Sequence, residues 1–552
     1  MELFRLLKDK ISPLKPPRTD AMSPGTGGTR LDDLQHTDPF NDTTRDGEIK
    51  ESLRLDDGFI RNLNLNKLNQ TQDMTCKKVE MKCDEITPVV EEEPQKQPSL
   101  ESNREEERLD EEEDVTLEIL EEMNRLEESF PILTTDYRLI DKIGEGTFST
   151  VYKAEALNGI IKLGSDIWQS PPLKKKQKES ATKKPKNPIV AIKQIYVTSS
   201  PNRIHNELNL LYILSGNSHV APLLDVLRYQ DQVLAILPYY QHSDFRDFYR
   251  DLSVKGIKKY LWELFHALDF VHTKGIIHRD LKPTNFLYDP FKGKGVLVDF
   301  GLAEKYNPLT ASSNRSSNSC PCTSRDKEVI SRSYTKRLNI KPAYPKQDQR
   351  PPRRANRAGT RGFRAPEVLF KCNNQCTKID IWSAGIIGYS LLSRKFPLFN
   401  SPDDTDAILE LALIFGFEKL KKCAELHGCG LVINLDKPDT MNGNLVKILH
   451  DLLAYENEQG CIPEDSVIHD TLKLFNETGD KFVRPIEPSE HDDSGAESFE
   501  EKLESYRDHK HLMELLYSCF IMDPSKRLCA KQMLKLPFFD ELATNLDDEI
   551  LL

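Results

Sequence analysis

The chain has 552 residues and a formal net charge of −12, and 38% of its residues are hydrophobic, 30% charged and 8% aromatic. This composition indicates a folded core with solvated, poorly ordered segments around it. No apolar run reaches the roughly 18 residues of a membrane-spanning helix, and the opening MELFRLLKDK lacks the apolar centre of a signal peptide. Eleven cysteines at irregular spacing fit a reducing compartment better than a disulfide framework. We therefore expect a soluble, intracellular protein without membrane contact.

The N-terminal region is polar and ends in the acidic run EEERLDEEED, so we expect a disordered acidic tail over 1–114. The next stretch, 115–133, has acidic residues on one side and apolar residues near one helical face: Val115, Ile119, Met123, Leu126 and Phe130. This pattern predicts a short amphipathic helix that packs on the folded body.

Strand patterns begin at residue 137, in YRLIDKIGEGTFSTVYKAEAL, PIVAIKQIYV and QVLAILPYY. After residue 257 the apolar residues repeat at helical spacing, as in KKYLWELFHALDFVHTKG. These periods predict an α+β fold over 134–541, with a small β-rich lobe before a larger α-helical lobe. Three polar stretches are interpreted as insertions, at about 158–187, 305–355 and 420–505, and residues 542–552 as an acidic C-terminal tail.

The stretch GEGTFSTV has Gly144 and Gly146, with Ser149 where a third glycine could stand, and alone it would read as an ordinary hairpin turn. Its glycines lie between two strands rather than before a helix, which excludes the dinucleotide-binding pattern and fits a hairpin that covers phosphates. Lys193 in VAIK and Glu207 in RIHNELNLLYIL could each be an ordinary surface charge. Together they predict an ion pair that holds the ammonium against phosphates.

The segments HRDLKPTNFLYD at 278–289 and LVDFGLAEK at 297–305 resemble the catalytic and metal-binding loops of the protein kinase family. The resemblance implies a bilobal protein kinase fold that uses ATP and Mg²⁺. It makes Asp280 the acceptor of the target hydroxyl's proton, places Lys282 at the γ-phosphate, and assigns the metal to Asn285 and Asp299. Lys282 is typical of serine/threonine kinases.

Three further motifs stand in the order that the family has: RAPE with Glu367, IDIWSAG with Asp380, and DPSKR with Arg527. The resemblance implies a Glu367–Arg527 ion pair and makes Asp380 a support of the catalytic loop. Leu237 is interpreted as the gatekeeper residue of the adenine pocket, although a role in core packing is equally compatible with its position. The resemblance assigns nucleotide contacts to Ile143, Gly144, Glu145, Gly146, Thr147, Phe148, Ser149, Val151, Ala191, Lys193, Leu237, Tyr239, Asn285, Leu287 and Asp299.

Within the family, KIGEGTFSTVYKAE, RAGTRGFRAPEVLFKC and the three insertions are similar to the cell-division-cycle kinases that fire replication origins, the catalytic half of the Dbf-dependent kinase. That resemblance implies a nuclear enzyme with an activating Dbf-type regulatory subunit and MCM helicase subunits as substrates. No direct nucleic-acid binding is expected. The basic run between 174 and 186 reads equally as a nuclear localisation signal or as a solvated loop.

RAGTRGFRAPE collects arginines where a kinase holds the residue after its target serine or threonine. Thr360 is expected near Asp280, and Arg357, Arg361 and Arg364 are expected to surround the substrate position with guanidinium groups. This predicts a preference for Asp, Glu or phosphoserine immediately after the target. Alternatively, Arg357 or Arg364 pairs with an acidic side chain inside the lobe.

Other functions stay open at this point. A pseudokinase scaffold would organise partners without phosphoryl transfer, and the runner-up enzymes are acidophilic casein-kinase-like or cyclin-dependent-like kinases. Arg279 would face an activating phosphate in many kinases, but the long insertion shows no obvious phosphosite, which favours activation by a bound subunit. Zinc is doubtful, because Cys320 with Cys322, and Cys423 with His427 and Cys429, each lack a second ligand pair at usual spacing.

Overall fold

The computed structural model describes residues 115–157, 187–306, 320, 322, 359–433, 443–459, 462–463, 466–487 and 495–544. The predicted N-terminal tail, the basic insertion over 158–186 and all but two residues between 307 and 358 lie outside the described residues. The same holds for the predicted C-terminal tail beyond residue 544. The described residues form two lobes with separate hydrophobic cores, which confirms the predicted bilobal α+β architecture.

Two short helices precede the sheet of the smaller lobe: α1, Leu117–Ser129, and α2, Pro131–Asp136. The single helix predicted over 115–133 is wrong in this respect, since Pro131 has no N–H to continue α1 and instead begins α2. Burial of each large apolar side chain contributes about 1.5–3 kcal/mol. The apolar face of these helices and the sheet share one core, formed by Met123, Leu126, Phe130, Leu133, Tyr137, Tyr152 and Ile192.

The smaller lobe contains a five-stranded antiparallel sheet in the order β1-β2-β3-β5-β4. Its strands are β1 Tyr137–Glu145, β2 Ser149–Ala156, β3 Ile189–Ile195, β4 Asp225–Tyr229 and β5 Gln232–Pro238. Every second residue of β2 is buried, as expected for a strand with one face on a core. Helix α3, Pro201–Leu214, connects β3 to β4 in the chain and carries Glu207.

The larger lobe is helical, and its first elements are α4 Phe245–Phe248, α5 Val254–Thr273, α6 Pro366–Leu369 and α7 Lys378–Leu392. Every residue of α7 from Ile379 to Leu392 is buried, so this helix has no solvent face and lies at the centre of the lobe. Two small antiparallel sheets pair β6 Ile276–Ile277 with β9 Glu304–Lys305, and β7 Phe286–Asp289 with β8 Lys294–Leu297. These strands flank both catalytic motifs.

The stretch 420–505 is more helical than its composition predicts. After α8, Asp404–Phe415, the chain forms α9 Phe417–Leu426, α10 Leu445–Glu458, α11 Val467–Leu472, α12 Gly495–Cys519 and α13 Ala530–Met533. The polar composition hides the helical pattern of α10, in which Leu445, Leu449 and Leu453 recur every four residues and are all buried. None of the described helices is long and apolar enough to cross a membrane.

Candidate active site

A cleft of about 490 Å³ lies between the two lobes. All the nucleotide positions named from the sequence line it except Thr147 and Phe148, which belong to the tip of the loop between β1 and β2. Glu207 and Lys282 line it as well. The sequence analysis missed several further lining residues, because they come from motif-free segments: Leu211, Ala221, His242, Phe245 and Phe248.

Lys193 lies on β3 with its ammonium buried between two carboxylates. Its Nζ donates to Glu207 Oε1 at 2.6 Å and to Asp299 Oδ1 at 2.9 Å. Burial alone lowers the pKa of Lys193, but the two carboxylates outweigh it and raise the pKa above its ordinary value. Burial likewise raises the pKa of Asp299, yet Lys193 holds that pKa well below its ordinary value. Lys193 and Asp299 are therefore positioned as charged partners at neutral pH.

Asp299 and Asn285 each keep an oxygen available for a cation. The Asp299 side chain remains 44% exposed, and both of its contacts within the described chain, from Lys193 and Gly301, use Oδ1. Asn285 donates through Nδ2 to the Asp280 carbonyl oxygen at 2.8 Å. Carboxylate and amide oxygens suit a hard divalent ion, so these two side chains fit the metal-binding role expected of them.

Asp280 is the centre of the catalytic loop. Its Oδ1 accepts hydrogen bonds from the backbone N and the Oγ1 of Thr360, both at 2.8 Å. Lys282 Nζ lies 3.3 Å from Oδ2 of the same carboxylate. The structure thus brings together the three side chains that the sequence places around the reacting hydroxyl, although they come from segments 80 residues apart.

The catalytic loop is supported from below by Asp380 at the first turn of α7. The Asp380 carboxylate is fully buried and accepts hydrogen bonds from the backbone N of His278 and of Arg279, each at 2.9 Å. His272 Nε2 lies 2.9 Å from Oδ2 of the same group. Arg279 has a φ of 72°, in the left-handed region, so the loop needs these bonds to keep its shape.

A second buried ion pair joins α6 to the segment just before α13. Arg527 Nη1 donates to Glu367 Oε1 at 2.7 Å, and both side chains are nearly inaccessible to solvent. Burial by itself lowers the pKa of Arg527, but Glu367 raises it above its ordinary value. Breaking such a pair by removing one partner costs about 3–5 kcal/mol, so it fixes the segment after the metal-binding loop.

The predicted arginine cluster is arranged differently from the expectation. Arg364 is turned inward: its Nη1 donates to Asp404 Oδ1 at 2.7 Å, and its Nη2 to the Gly359 carbonyl oxygen at 2.7 Å. Arg361 is 49% exposed, with its Nε 3.8 Å from the same Asp404 oxygen. Arg357 lies outside the described residues. The alternative of an internal acidic partner therefore holds for Arg364.

Arg279 is also paired inside the chain. Its guanidinium forms an ion pair with the carboxylate of Glu304 on β9, and its Nη2 lies 3.3 Å from Gln375 Oε1. The Arg279 side chain is only 8% exposed. A carboxylate thus lies against the guanidinium that the family resemblance assigns to an activating phosphate.

Four donors that are far apart in sequence meet outside the cleft. Cys320, Cys322, Cys372 and His427 are buried, and their donor atoms all lie within 4.8 Å of one another. Cys320 and Cys322 have no second pair at the usual spacing in the sequence, and the structure places the distant Cys372 and His427 beside them. Three thiols and an imidazole match the donors of structural zinc sites, but the same side chains also pack as a small apolar cluster with Leu426. Both interpretations fit this geometry, and zinc remains a hypothesis.

A small sheet lobe and a helical lobe that enclose a Lys–Glu pair, a proton-accepting aspartate and two metal-binding side chains define a protein kinase catalytic centre. Residues 178–335 and 344–539 match the family model described as the protein kinase domain. Such a domain implies ATP and a divalent metal ion as cofactors. The chain belongs to the protein kinase family and, within it, to the cell-cycle serine/threonine kinases related to cell division control protein 7.

The relatives cover different shares of the chain. Cell cycle serine/threonine-protein kinase hsk1 of Schizosaccharomyces pombe is 48% identical over 338 residues, 60% of this chain and 65% of that protein. Cell cycle protein kinase spo4 of the same yeast is 41% identical over 57% of this chain and 74% of its own length. A cell division control protein 7 homologue of Encephalitozoon cuniculi is 35% identical over 74% of this chain and 93% of that protein.

Proposed function

We propose that the chain transfers the γ-phosphoryl group of ATP, with Mg²⁺, to serine or threonine hydroxyls of proteins. The observation that carries this proposal is the Asp280 carboxylate, held by Thr360 and flanked by Lys282, which lines the cleft. A carboxylate there can accept the proton of the attacking hydroxyl as the oxygen–phosphorus bond forms. A metal ion held by Asn285 and Asp299 would supply charge neutralisation of the phosphates.

The remaining side chains position the reactants. Lys193, kept charged by Glu207, is placed to bind the α- and β-phosphates, and Lys282 to neutralise the γ-phosphate. The Lys193–Glu207 pair supports this arrangement, because it connects α3 to the strand that carries the phosphate-binding lysine. These contacts count against a scaffold that lacks transfer activity.

We further propose that the enzyme prefers an acidic or phosphorylated residue immediately after the target. Arg361 supports this preference, because it follows Thr360 directly and its guanidinium is half exposed. Arg364 contributes positive charge nearby while holding the Gly359 carbonyl. Arg357 belongs to the same proposal through its sequence position alone.

The cellular part of the proposal rests on similarity to the cell-cycle relatives. We propose that the chain initiates DNA replication in the nucleus by phosphorylating MCM helicase subunits, and that a Dbf-type regulatory subunit activates it. The long segments between the catalytic motifs, and the Arg279–Glu304 pair that occupies the usual phosphate position, are consistent with activation by a bound subunit.

Radiolabel transfer from Mg-ATP tests the proposal. Serine peptides that differ only after the target, carrying Asp, phosphoserine, Ala or Pro, are incubated with the chain and its regulatory subunit. We expect transfer that favours the acidic peptides and is lost in the Lys193→Ala variant. A preference for Pro would contradict the acidic specificity, and no transfer despite intact nucleotide binding would contradict the assigned activity.

A further inference from the structure

Arg203 contacts two catalytic elements at once. It lies on α3 one turn before Glu207, so the two side chains are on the same face of the helix, and Glu207 lines the cleft. Its guanidinium carbon is 3.5 Å from the centroid of the Phe148 ring at the tip of the β1–β2 loop. Its Nε donates to the carbonyl oxygen of Gly301 at 3.2 Å. One side chain therefore bridges the phosphate-covering loop and the backbone just after Asp299.

Both contacts act on parts that are themselves tied to the nucleotide site. The Phe148 carbonyl oxygen accepts a hydrogen bond from the backbone N of Tyr196 at 2.9 Å, which fixes the backbone of the loop tip. The Phe148 side chain is contacted by Arg203. The Gly301 backbone N lies 3.3 Å from Asp299 Oδ1, the oxygen that also binds Lys193. Movement at Gly301 would therefore move the metal-binding carboxylate.

Helix α3 makes a second bond to the same segment. Asn206 Nδ2 donates to the carbonyl oxygen of Ala303 at 3.0 Å. The backbone at Gly301 lies close to the catalytic carboxylates, since a Cβ there would be only 3.2 Å from both Asp299 Oδ1 and Glu207 Oε2. The segment after Asp299 is consequently held by donors from α3, of which Arg203 alone also reaches the loop tip among the described contacts.

We propose that Arg203 is a positioning residue that couples closure of the β1–β2 loop over ATP to the placement of Asp299. The inference rests on the proposed phosphoryl transfer and adds a residue that no motif of the family points to in this sequence. The stacking on Phe148 serves nucleotide binding, whereas the bond to Gly301 serves the metal-binding carboxylate and hence the transfer step. Loss of Arg203 should affect both, and loss of the Phe148 ring only the first.

The test uses the full chain with its regulatory subunit and four variants: Arg203→Ala, Arg203→Lys, Phe148→Leu and the Arg203→Ala/Phe148→Leu double variant. Arg228→Ala is the matched control, because Arg228 Nε also donates to a backbone carbonyl, that of Gln230 at 3.1 Å, on an exposed turn of the same lobe. The measurements are the Kd of ATP, the KM and kcat for peptide phosphorylation, and the midpoint of thermal unfolding.

We expect Arg203→Ala to weaken ATP binding about fivefold and to lower kcat about tenfold, while Arg228→Ala changes neither. Phe148→Leu should raise the Kd of ATP by a similar factor without the fall in kcat, and the double variant should bind ATP no more weakly than Arg203→Ala. Arg203→Lys should recover ATP binding more than kcat, since a lysine keeps the cation but not the planar Nε donor.

Three results would overturn the inference: Arg203→Ala behaving like Arg228→Ala, multiplicative effects of the two single changes on ATP affinity, or a loss of activity accompanied only by a lower unfolding midpoint. Absence of transfer in the unmodified complex would instead contradict the proposed function. The ATP affinities would still decide the part of the inference that concerns Arg203 and Phe148.

Discussion

Asp404 lies between two arginines beside the catalytic loop. Its negative charge partly neutralises them and so determines how much positive charge they can offer to a substrate. It accepts a hydrogen bond from Arg364 and lies close to Arg361, so one carboxylate faces two guanidinium groups. The excess of positive charge is on the exposed Arg361 rather than on the inward Arg364. The two residues therefore have separable roles, one toward the substrate and the other toward the Gly359 backbone.

Opposite changes at this point should have opposite effects on specificity. Arg361→Gln should lower the ratio of kcat/KM for an Asp-containing peptide to that for its Ala counterpart by about threefold, because a half-exposed charge pair contributes modestly. Asp404→Asn keeps an acceptor for Arg364, removes the competing charge and should raise the same ratio. The two peptides assayed side by side give this measurement. Equal ratios in both variants and the unmodified chain would contradict the assigned role of Arg361.

The buried Asp380 predicts an acid limit to stability. Burial raises its pKa, but the hydrogen bonds from His272 and the His278 backbone lower it below its ordinary value. A carboxyl whose pKa is lower in the folded chain stabilises the fold above its unfolded pKa of about 3.9, and the contribution is lost as the pH falls below that. The unmodified chain should therefore lose more unfolding free energy than Asp380→Asn between about pH 5 and pH 3. Urea unfolding across this range checks the slope, and parallel curves would contradict it.

At the scale of elements, α1 and α2 are part of the folded lobe rather than an appendage. Leu126 and Phe130 are almost completely buried against the sheet. Glu122 Oε2 accepts from Lys142 Nζ at 2.8 Å, and the same ammonium lies 2.7 Å from Glu145 at the end of β1. Packing and charge therefore both connect α1 to the strand that leads into the phosphate-covering loop.

Truncation of one inward side chain should measure this packing. Leu126→Ala should lower the free energy of unfolding by about 3 kcal/mol, since it removes buried methyl groups and leaves a cavity. Leu117→Ala on the same helix is the control, because Leu117 is 80% exposed, and it should change stability by less than about 0.5 kcal/mol. Chemical denaturation of both variants makes the comparison. Similar losses would show that α1 does not dock as described.

The elements that the sequence predicts best are those whose pattern is local. The strands around Gly144 and Lys193, and the loops around Asp280 and Asp299, are contiguous motifs, so their lobe and position follow from short stretches. Three pairings span 40 to 107 residues, and no spacing rule predicts them: Arg364 with Asp404, Cys322 with Cys372, and Cys320 with His427. Helix α10 was missed because its polar flanks dilute three well-spaced leucines. The break between α1 and α2 depends on a single proline.

At the scale of the whole molecule, each lobe has its own core, and the cleft is lined by residues of both lobes. One ligand bound there can therefore contact both lobes at once. Lys193 and Gly144 belong to the smaller lobe, while Asn285 and Leu287 belong to the larger one, and all four line the same cleft. A ligand that contacts both sides binds the folded, closed arrangement and not the unfolded chain. Its binding free energy therefore adds to the stability of the protein.

A nonhydrolysable ATP analogue with Mg²⁺ should accordingly raise the unfolding midpoint. At about 100 times its Kd the analogue should add about 2.7 kcal/mol of stability, and the shift should be much smaller in Lys193→Ala at the same concentration. Differential scanning fluorimetry of both proteins, with and without Mg²⁺, measures it. A shift of equal size in Lys193→Ala would place the nucleotide elsewhere.

Because Arg279 pairs with Glu304, the negative charge beside this arginine is a permanent one. In a kinase where a phosphate pairs with this arginine, a phosphatase can remove the charge. The activity of that kinase then follows the balance of two opposing enzymes. A glutamate is encoded in the gene and cannot be removed. The charge that faces Arg279 is therefore constant from synthesis of the chain onward, whatever the balance of kinases and phosphatases around it.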